Sequence, residues 1–218
     1  MTARYRDIGS LRVEFESKKD AILARLEEFR ELGRRADEDL FQELCFCFLA
    51  IQTKARAADA AVRGLADGGL LWGGDRTTIA RYLRHRVRFH NHKAAFIVQA
   101  RERFFPPGGP TLRFDLNRDS APHQTRSWLT REVDGLGPKE ASHFLRNIGR
   151  GENLAILDRH VLRNLVRHRV IGRVPRSLTS RRYLEIETRV ARFAAFLGIS
   201  VAALDLVFWS RETGEIFK

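Results

Sequence analysis

The chain is short of cysteine, methionine and lysine, and each shortage narrows what it can be. Its cysteines are Cys45 and Cys47. Both lie in the apolar run Leu44-Cys45-Phe46-Cys47-Phe48-Leu49, which suits core thiols in a reducing compartment rather than a disulfide or a metal site. Two thiols cannot by themselves hold a four-cysteine iron–sulfur cluster, so none is expected. The longest uncharged apolar stretch, Phe193 to Leu204, is too short to span a bilayer, and no membrane partner is expected. The segment Met1-Thr2-Ala3-Arg4-Tyr5-Arg6-Asp7 has no apolar signal character, which leads to the expectation of a cytoplasmic, nucleoid-associated protein. Lysine is confined to Lys18, Lys19, Lys54, Lys93, Lys139 and Lys218, so each one is informative.

Positive charge is abundant, and arginine carries most of it. Over 218 residues the formal net charge is +12, and hydrophobic residues make up 44%, enough for a sizeable core. Such a basic chain calls for a polyanionic partner, and nucleic acid is the commonest. The competing reading is an arginine-rich surface set by compositional bias.

Helical periodicity runs through the sequence. Ile22, Leu26 and Phe29 share one face of a first helix that Gly33 is expected to end. Buried and amphipathic helices are expected at Leu40–Ile51 and Lys54–Leu65, then from about Thr77 and from His90 to Arg103. Leu71-Trp72-Gly73-Gly74 reads as a turn. Phe104-Phe105-Pro106-Pro107-Gly108-Gly109-Pro110 breaks regular structure and is the expected connection between lobes. Ser120 is the expected cap of a helix from Ala121 to Val133. Further helices are expected from Pro138 to Gly149, from Arg159 to Arg167, and across Thr179–Leu197 and Val201–Arg211. No βαβ pattern or internal repeat occurs, so the fold class is all-α. One lobe is expected at 111–178, with 1–110 and 179–218 forming the other.

The densest signal is Val133-Asp134-Gly135-Leu136-Gly137-Pro138-Lys139-Glu140-Ala141. Two helices are joined by a turn with Gly135 and Gly137 on either side of an apolar residue. Glycine permits positive φ and close backbone approach. The N–H groups of the following helix start then form an anion site able to grip a DNA phosphate without reading bases. An ordinary αα-hairpin turn would fit the short pattern about as well. Lys139 stands in the first turn of the next helix, the wrong end of the dipole for a cation. That placement favours a neutral amine, the form needed for Schiff-base chemistry. A plain phosphate-binding lysine is the simpler alternative.

The run Gly135-Leu136-Gly137-Pro138-Lys139-Glu140-Ala141-Ser142-His143-Phe144-Leu145-Arg146-Asn147-Ile148-Gly149, followed by Ala155-Ile156-Leu157-Asp158-Arg159-His160-Val161-Leu162, closely resembles the type 2 8-oxoguanine DNA glycosylases. These belong to the helix-hairpin-helix glycosylase superfamily. Softer similarity extends through Cys45–Ala58, Arg88–Ala94 and the last residues. The resemblance implies a two-lobed helix-hairpin-helix fold with its active site in the cleft. It implies a bifunctional DNA glycosylase and AP lyase acting on double-stranded DNA that contains 8-oxoguanine, with Lys139 as nucleophile and Asp158 as its acidic partner. Asp158 is also a good helix N-cap, and the two roles are compatible. No cofactor is required on this reading, although a monovalent cation at the hairpin is expected from relatives. The chain is expected to act as a monomer. Two alternatives stay open: the same fold with a preference for oxidised pyrimidines, and a non-catalytic helix-hairpin-helix DNA-binding module.

8-Oxoguanine carries a donor at N7 where guanine carries an acceptor, so a selective pocket should present an acceptor there. The resemblance implies that the C-terminal residue serves the lesion pocket, which makes the α-carboxylate of Lys218 the candidate; a frayed terminus is the ordinary alternative. Trp209 and Phe89 are candidate stacking faces for an extruded base, against simple core packing. Gln52, in Gln52-Thr53-Lys54, either lines the pocket or fills the gap left by the base; its ordinary role would be capping. Arg88 and Lys93, with Arg84 and Arg86, are expected phosphate contacts. His85, His90 and His92 lack a carboxylate or thiol partner and fit a basic DNA-facing loop rather than a metal site.

Overall fold

The computed structural model describes residues 5–118 and 121–218. All regular structure among them is helical: α1 Ile8–Arg34, α2 Asp37–Ala50, α3 Ala55–Asp67, α4 Leu70–Gly73, α5 Arg76–Leu83, α6 His90–Phe104, α7 Leu112–Leu116, α8 Pro122–Glu132, α9 Pro138–Asn147, α10 Arg159–Arg167, α11 Ser180–Leu197 and α12 Val201–Thr213. Most expected boundaries fall within a few residues of these. Side-chain caps account for several starts: Asp75 accepts from Thr78 N, Thr179 from Arg182 N, and Ser200 from Ala203 N. The expected cap Ser120 lies outside the described residues, and α8 begins instead with Ala121 at its cap and Pro122 in its first turn. Leu70–Gly73 forms one helical turn rather than an open turn. No single described helix is long and apolar enough to cross a membrane.

Two buried clusters organise the chain. The first gathers α2 through α9, from Leu40 to Leu154, and takes in Phe217 from the C-terminal tail. The second joins α1 to α10, α11 and α12. This differs from the expected lobes at 111–178 and the remainder. The Pro-Gly segment at 106–110 is an excursion within the first core, because Phe104 and Leu112 on either side of it bury together. The chain crosses between cores near Leu154 and Ala155, a short apolar stretch with no turn signal to mark it.

Gly33 is the clearest correction to a local reading. It does not end α1, which continues to Arg34. A Cβ at Gly33 would drive into the carbonyl oxygen of Ile148, so the glycine permits α1 to cross the end of α9. Gly149 has the reciprocal role: its φ is 69°, and a Cβ there would lie 2.6 Å from the Arg30 Cα.

The seam between cores also holds a buried ion pair. Arg126 on α8 meets Glu187 on α11 in a bidentate pair at 2.6 and 2.8 Å. Arg126 also donates to Ser142 Oγ at 3.1 Å, and Glu187 accepts from the Ala155 amide at 2.8 Å. Tyr183 donates to the Ala155 carbonyl oxygen at 2.5 Å. Truncating one partner strands a desolvated charge. Glu187→Ala is therefore expected to lower unfolding free energy by about 3–5 kcal/mol in urea melts, and Arg126→Met combined with Glu187→Leu by much less.

Candidate active site

The hairpin between α8 and α9 is closed by Leu136 N donating to Val133 O at 3.2 Å, and Ala141 N to Gly137 O at 2.9 Å. Leu136 is buried in the first core and anchors the turn. Gly135 has φ 86°, and a Cβ there would lie 2.5 Å from the Phe96 ring; it needs glycine on both counts. Gly137 has an ordinary extended conformation as the α9 N-cap, so its contribution is close access to the helix start rather than unusual φ. Among the described residues no group of His, Cys, Asp and Glu side chains could ligate a metal.

Lys139 follows Pro138 at the start of α9, with its side chain 28% exposed. Its ammonium lies 3.2 Å from the adjacent Glu140 carboxylate. Asp158 caps α10, accepting from Val161 N at 2.7 Å, and makes no ion pair with Lys139 within 4 Å. A residue that the sequence reading overlooked senses the charge of both. Asp205, on α12, is only 11% exposed. Its pKa is pushed up to about 6 by burial, opposed by Arg146; Asp158 raises it further, and Lys139 lowers it. The helix α9, which carries Lys139, packs in the first core, whereas α10, which Asp158 caps, and α12, which carries Asp205, pack in the second.

Other groups complete the surroundings. His143, one turn after Lys139, packs edge-on against Phe46 at 5.7 Å. Burial, aided by Arg146, Lys139 and Lys218, holds its pKa well below the usual histidine range, so the ring is neutral near pH 7. Its Nε2 and the Trp209 Nε1 are buried without a partner among the described residues. Trp209 is partly buried against the first core and meets His160 edge-on at 6.1 Å.

The C-terminus is docked rather than frayed. Phe217 is buried, and the Lys218 side chain is 15% exposed. The Lys218 Nζ lies 2.8 Å from Glu43 and 2.9 Å from Asp59, next to a cavity of about 480 Å³ between α1, α2 and α3.

Lys93 is not placed as a phosphate contact. It is 1% exposed and donates to Leu49 O at 2.8 Å, Ile51 O at 2.7 Å and Thr53 Oγ1 at 2.9 Å. A cation is favoured there by the C-terminal end of the α2 dipole. Burial and the charge of Lys139 lower its pKa to about 8. Lys93 therefore builds the turn that presents Gln52. Gln52 is exposed with φ 50°, and Phe89 is 51% exposed with φ 56°. Left-handed backbone is strained at such residues and often marks a ligand-facing position. Arg88 is exposed, and its amide donates to Thr53 Oγ1 at 3.3 Å, tying the two turns together.

A sequence profile described as 8-oxoguanine DNA glycosylase matches residues 22–199. The chain belongs to the 8-oxoguanine DNA glycosylase family. A Fusobacterium nucleatum 8-oxoguanine DNA glycosylase/AP lyase is 39% identical over 195 residues, covering 89% of each chain. The crystal structure of the Methanocaldococcus jannaschii 8-oxoguanine DNA glycosylase superposes with a TM-score of 0.87 at 32% identity, over 97% of this chain and 95% of that one. The M. jannaschii enzyme in complex with a 15mer DNA containing 8-oxoguanine superposes with a TM-score of 0.86, also at 32% identity, over 96% of this chain and all of that one. The helix-hairpin-helix architecture of this family thus accounts for the all-helical fold.

Signals for the overlooked residues were present. Asp205 is the lone carboxylate in Val201-Ala202-Ala203-Leu204-Asp205-Leu206-Val207-Phe208. Glu43 is similarly placed in the apolar run of α2 and is buried. Asp205 titrates near pH 6 when folded, above its ordinary value, so folding takes up a proton between those pH values. Its ionisation therefore costs stability as pH rises through that window. Asp205→Asn is expected to gain about 2–3 kcal/mol relative to wild type between pH 4 and pH 7. Urea titrations at the two pH values test this; an unchanged difference would show that Asp205 is not held in a charge-disfavouring site.

Proposed function

We propose that the chain is a base-excision repair enzyme that removes 8-oxoguanine from double-stranded DNA with Lys139 as nucleophile, and then nicks the abasic site. The carrying observation is the position of Lys139, in the first turn of a helix directly after a glycine hairpin, in a chain of the 8-oxoguanine DNA glycosylase family. The target nucleotide must leave the stack before chemistry can begin. The hairpin amides and α9 N-terminus hold a phosphate, with Gly135 and Gly137 allowing the backbone close to it. Arg88 adds a cation to this face, and exposed Gln52 and Phe89 are placed to fill or cover the vacated stack.

The Lys139 ammonium passes a proton to a neighbouring carboxylate, the freed amine attacks C1′, and the bond from C1′ to N9 of the base breaks. The base departs with the bonding pair and takes up the proton that the attacking nitrogen loses. Opening of the sugar ring, with O4′ taking the proton held by the carboxylate, then gives a protonated imine between C1′ and Nζ. Removal of a C2′ proton expels the 3′ phosphate by β-elimination, and water releases the lysine. Asp158, fixed by its cap bond, supports positive charge as it develops on the sugar. Glu140 and Asp205 are the nearby carboxylates able to exchange a proton with the amine. Trp209, partly buried, offers an aromatic face on which the extruded base can stack.

Borohydride added during reaction with an 8-oxoguanine duplex is expected to trap a covalent protein–DNA adduct. Lys139→Gln should abolish it while DNA binding persists. A trapped adduct in Lys139→Gln would assign the nucleophile elsewhere, and none from active wild type would overturn the Schiff-base mechanism. Asp158→Asn should bind DNA but slow single-turnover excision by about 10²-fold or more. Excision at the wild-type rate would reduce Asp158 to a helix cap.

A further inference from the structure

Lys93 is a buried ammonium with no part in the lysine chemistry, and it stands where two strained turns meet. Its three N–H groups are matched by three acceptors: Leu49 O at 2.8 Å, Ile51 O at 2.7 Å and Thr53 Oγ1 at 2.9 Å. These acceptors surround Gln52, whose φ is 50°. The backbone of Lys93 holds the second turn. Its amide donates to the carbonyl oxygen of Phe89 at 3.1 Å, and Phe89, with φ 56°, is the N-cap of α6. Thr53 closes the link, because its hydroxyl oxygen also accepts from the Arg88 amide at 3.3 Å. Gln52 and Phe89 are both exposed, and left-handed backbone at such residues persists only where the surroundings impose it.

The same helix reaches the hairpin. Phe96 lies about one turn beyond Lys93 on α6 and packs against Phe48 of α2, with ring centroids 5.9 Å apart. Gly135 sits directly against the Phe96 ring, where a Cβ would come within 2.5 Å. Lys93 also senses the charge of Lys139. The first half of α6 thus touches the Gln52 turn, the Phe89 turn and the glycine hairpin.

We propose that Lys93 is a positioning residue for nucleotide extrusion: it locks the Gln52 and Phe89 turns to α6, and so to the hairpin, as one rigid unit. The inference rests on the reading of Gln52 and Phe89 as the side chains that fill or cover the vacated stack. Extrusion leaves a gap in the duplex, and the side chains that occupy it must stand at a set distance from the gripped phosphate. Turns ordered before DNA arrives cost less to insert than turns that order on contact. Buried and with every N–H taken, Lys93 itself need touch neither the phosphate nor the base.

The experiment compares single-turnover excision of 8-oxoguanine paired with cytosine against cleavage of a preformed abasic site, which has no base to extrude. Both reactions use the Lys139 amine, so any change in its charge state falls on both alike. Lys93→Met is expected to lower the ratio of excision to abasic-site cleavage by about ten- to a hundred-fold. Thr53→Val is a milder change that removes one acceptor and the tie to Arg88; it should lower the ratio in the same direction, but less. Gln52→Ala combined with Phe89→Ala tests the underlying reading. If that pair lowers the ratio but Lys93→Met leaves it intact, the lock is wrong and the reading of the two turns stands. If the pair leaves the ratio intact, that reading fails and takes the lock with it. Equal loss of both activities in Lys93→Met would make the ammonium a stability device and overturn the proposal.

Discussion

The pair between Arg126 and Glu187 is the contact on which the rest of the structure depends. It joins a helix of the first core to a helix of the second, and it does so where the chain passes between them at Ala155. Each partner is buried, so neither charge can exist there without the other. Ser142, on the helix that carries Lys139, accepts from Arg126 in the same network. The helix of Lys139 is therefore positioned by the seam itself rather than by one core alone. The glycines at 33 and 149 bring α1 against the far end of that helix, so it is held at both ends.

This seam lets opposite chemistry meet across a gap. Lys139 comes from one core, and Asp158 and Asp205 from the other. The carboxylates are few and enclosed, whereas the chain as a whole carries a net charge of +12. Long-range attraction to DNA and local stabilisation of a cationic sugar require opposite signs of charge, and the fold separates them by depth. Exposed arginines serve the first requirement. Asp205, enclosed on α12, shows the cost of placing a carboxylate at depth in its raised pKa.

Local sequence disclosed what depends on local geometry. The hairpin, its buried Leu136, Pro138 at the helix start and the cap at Asp158 each rest on residues within one turn of one another, and all could be read along the chain. The interlobe boundary could not. Pro and Gly between 106 and 110 interrupt a helix without ending a core, whereas the true crossing at 154–155 is apolar and unpunctuated. Lys93 was misread for a related reason. Arg88 and Lys93 are neighbours in a basic segment, but α6 begins between them and turns Lys93 inward onto the α2 carbonyls. Which side of a helix is inward is set by partners distant in sequence, here 40–44 residues away. Glu43 and Asp205 interrupt apolar helices, and a buried acid so placed requires a partner that only tertiary structure can name.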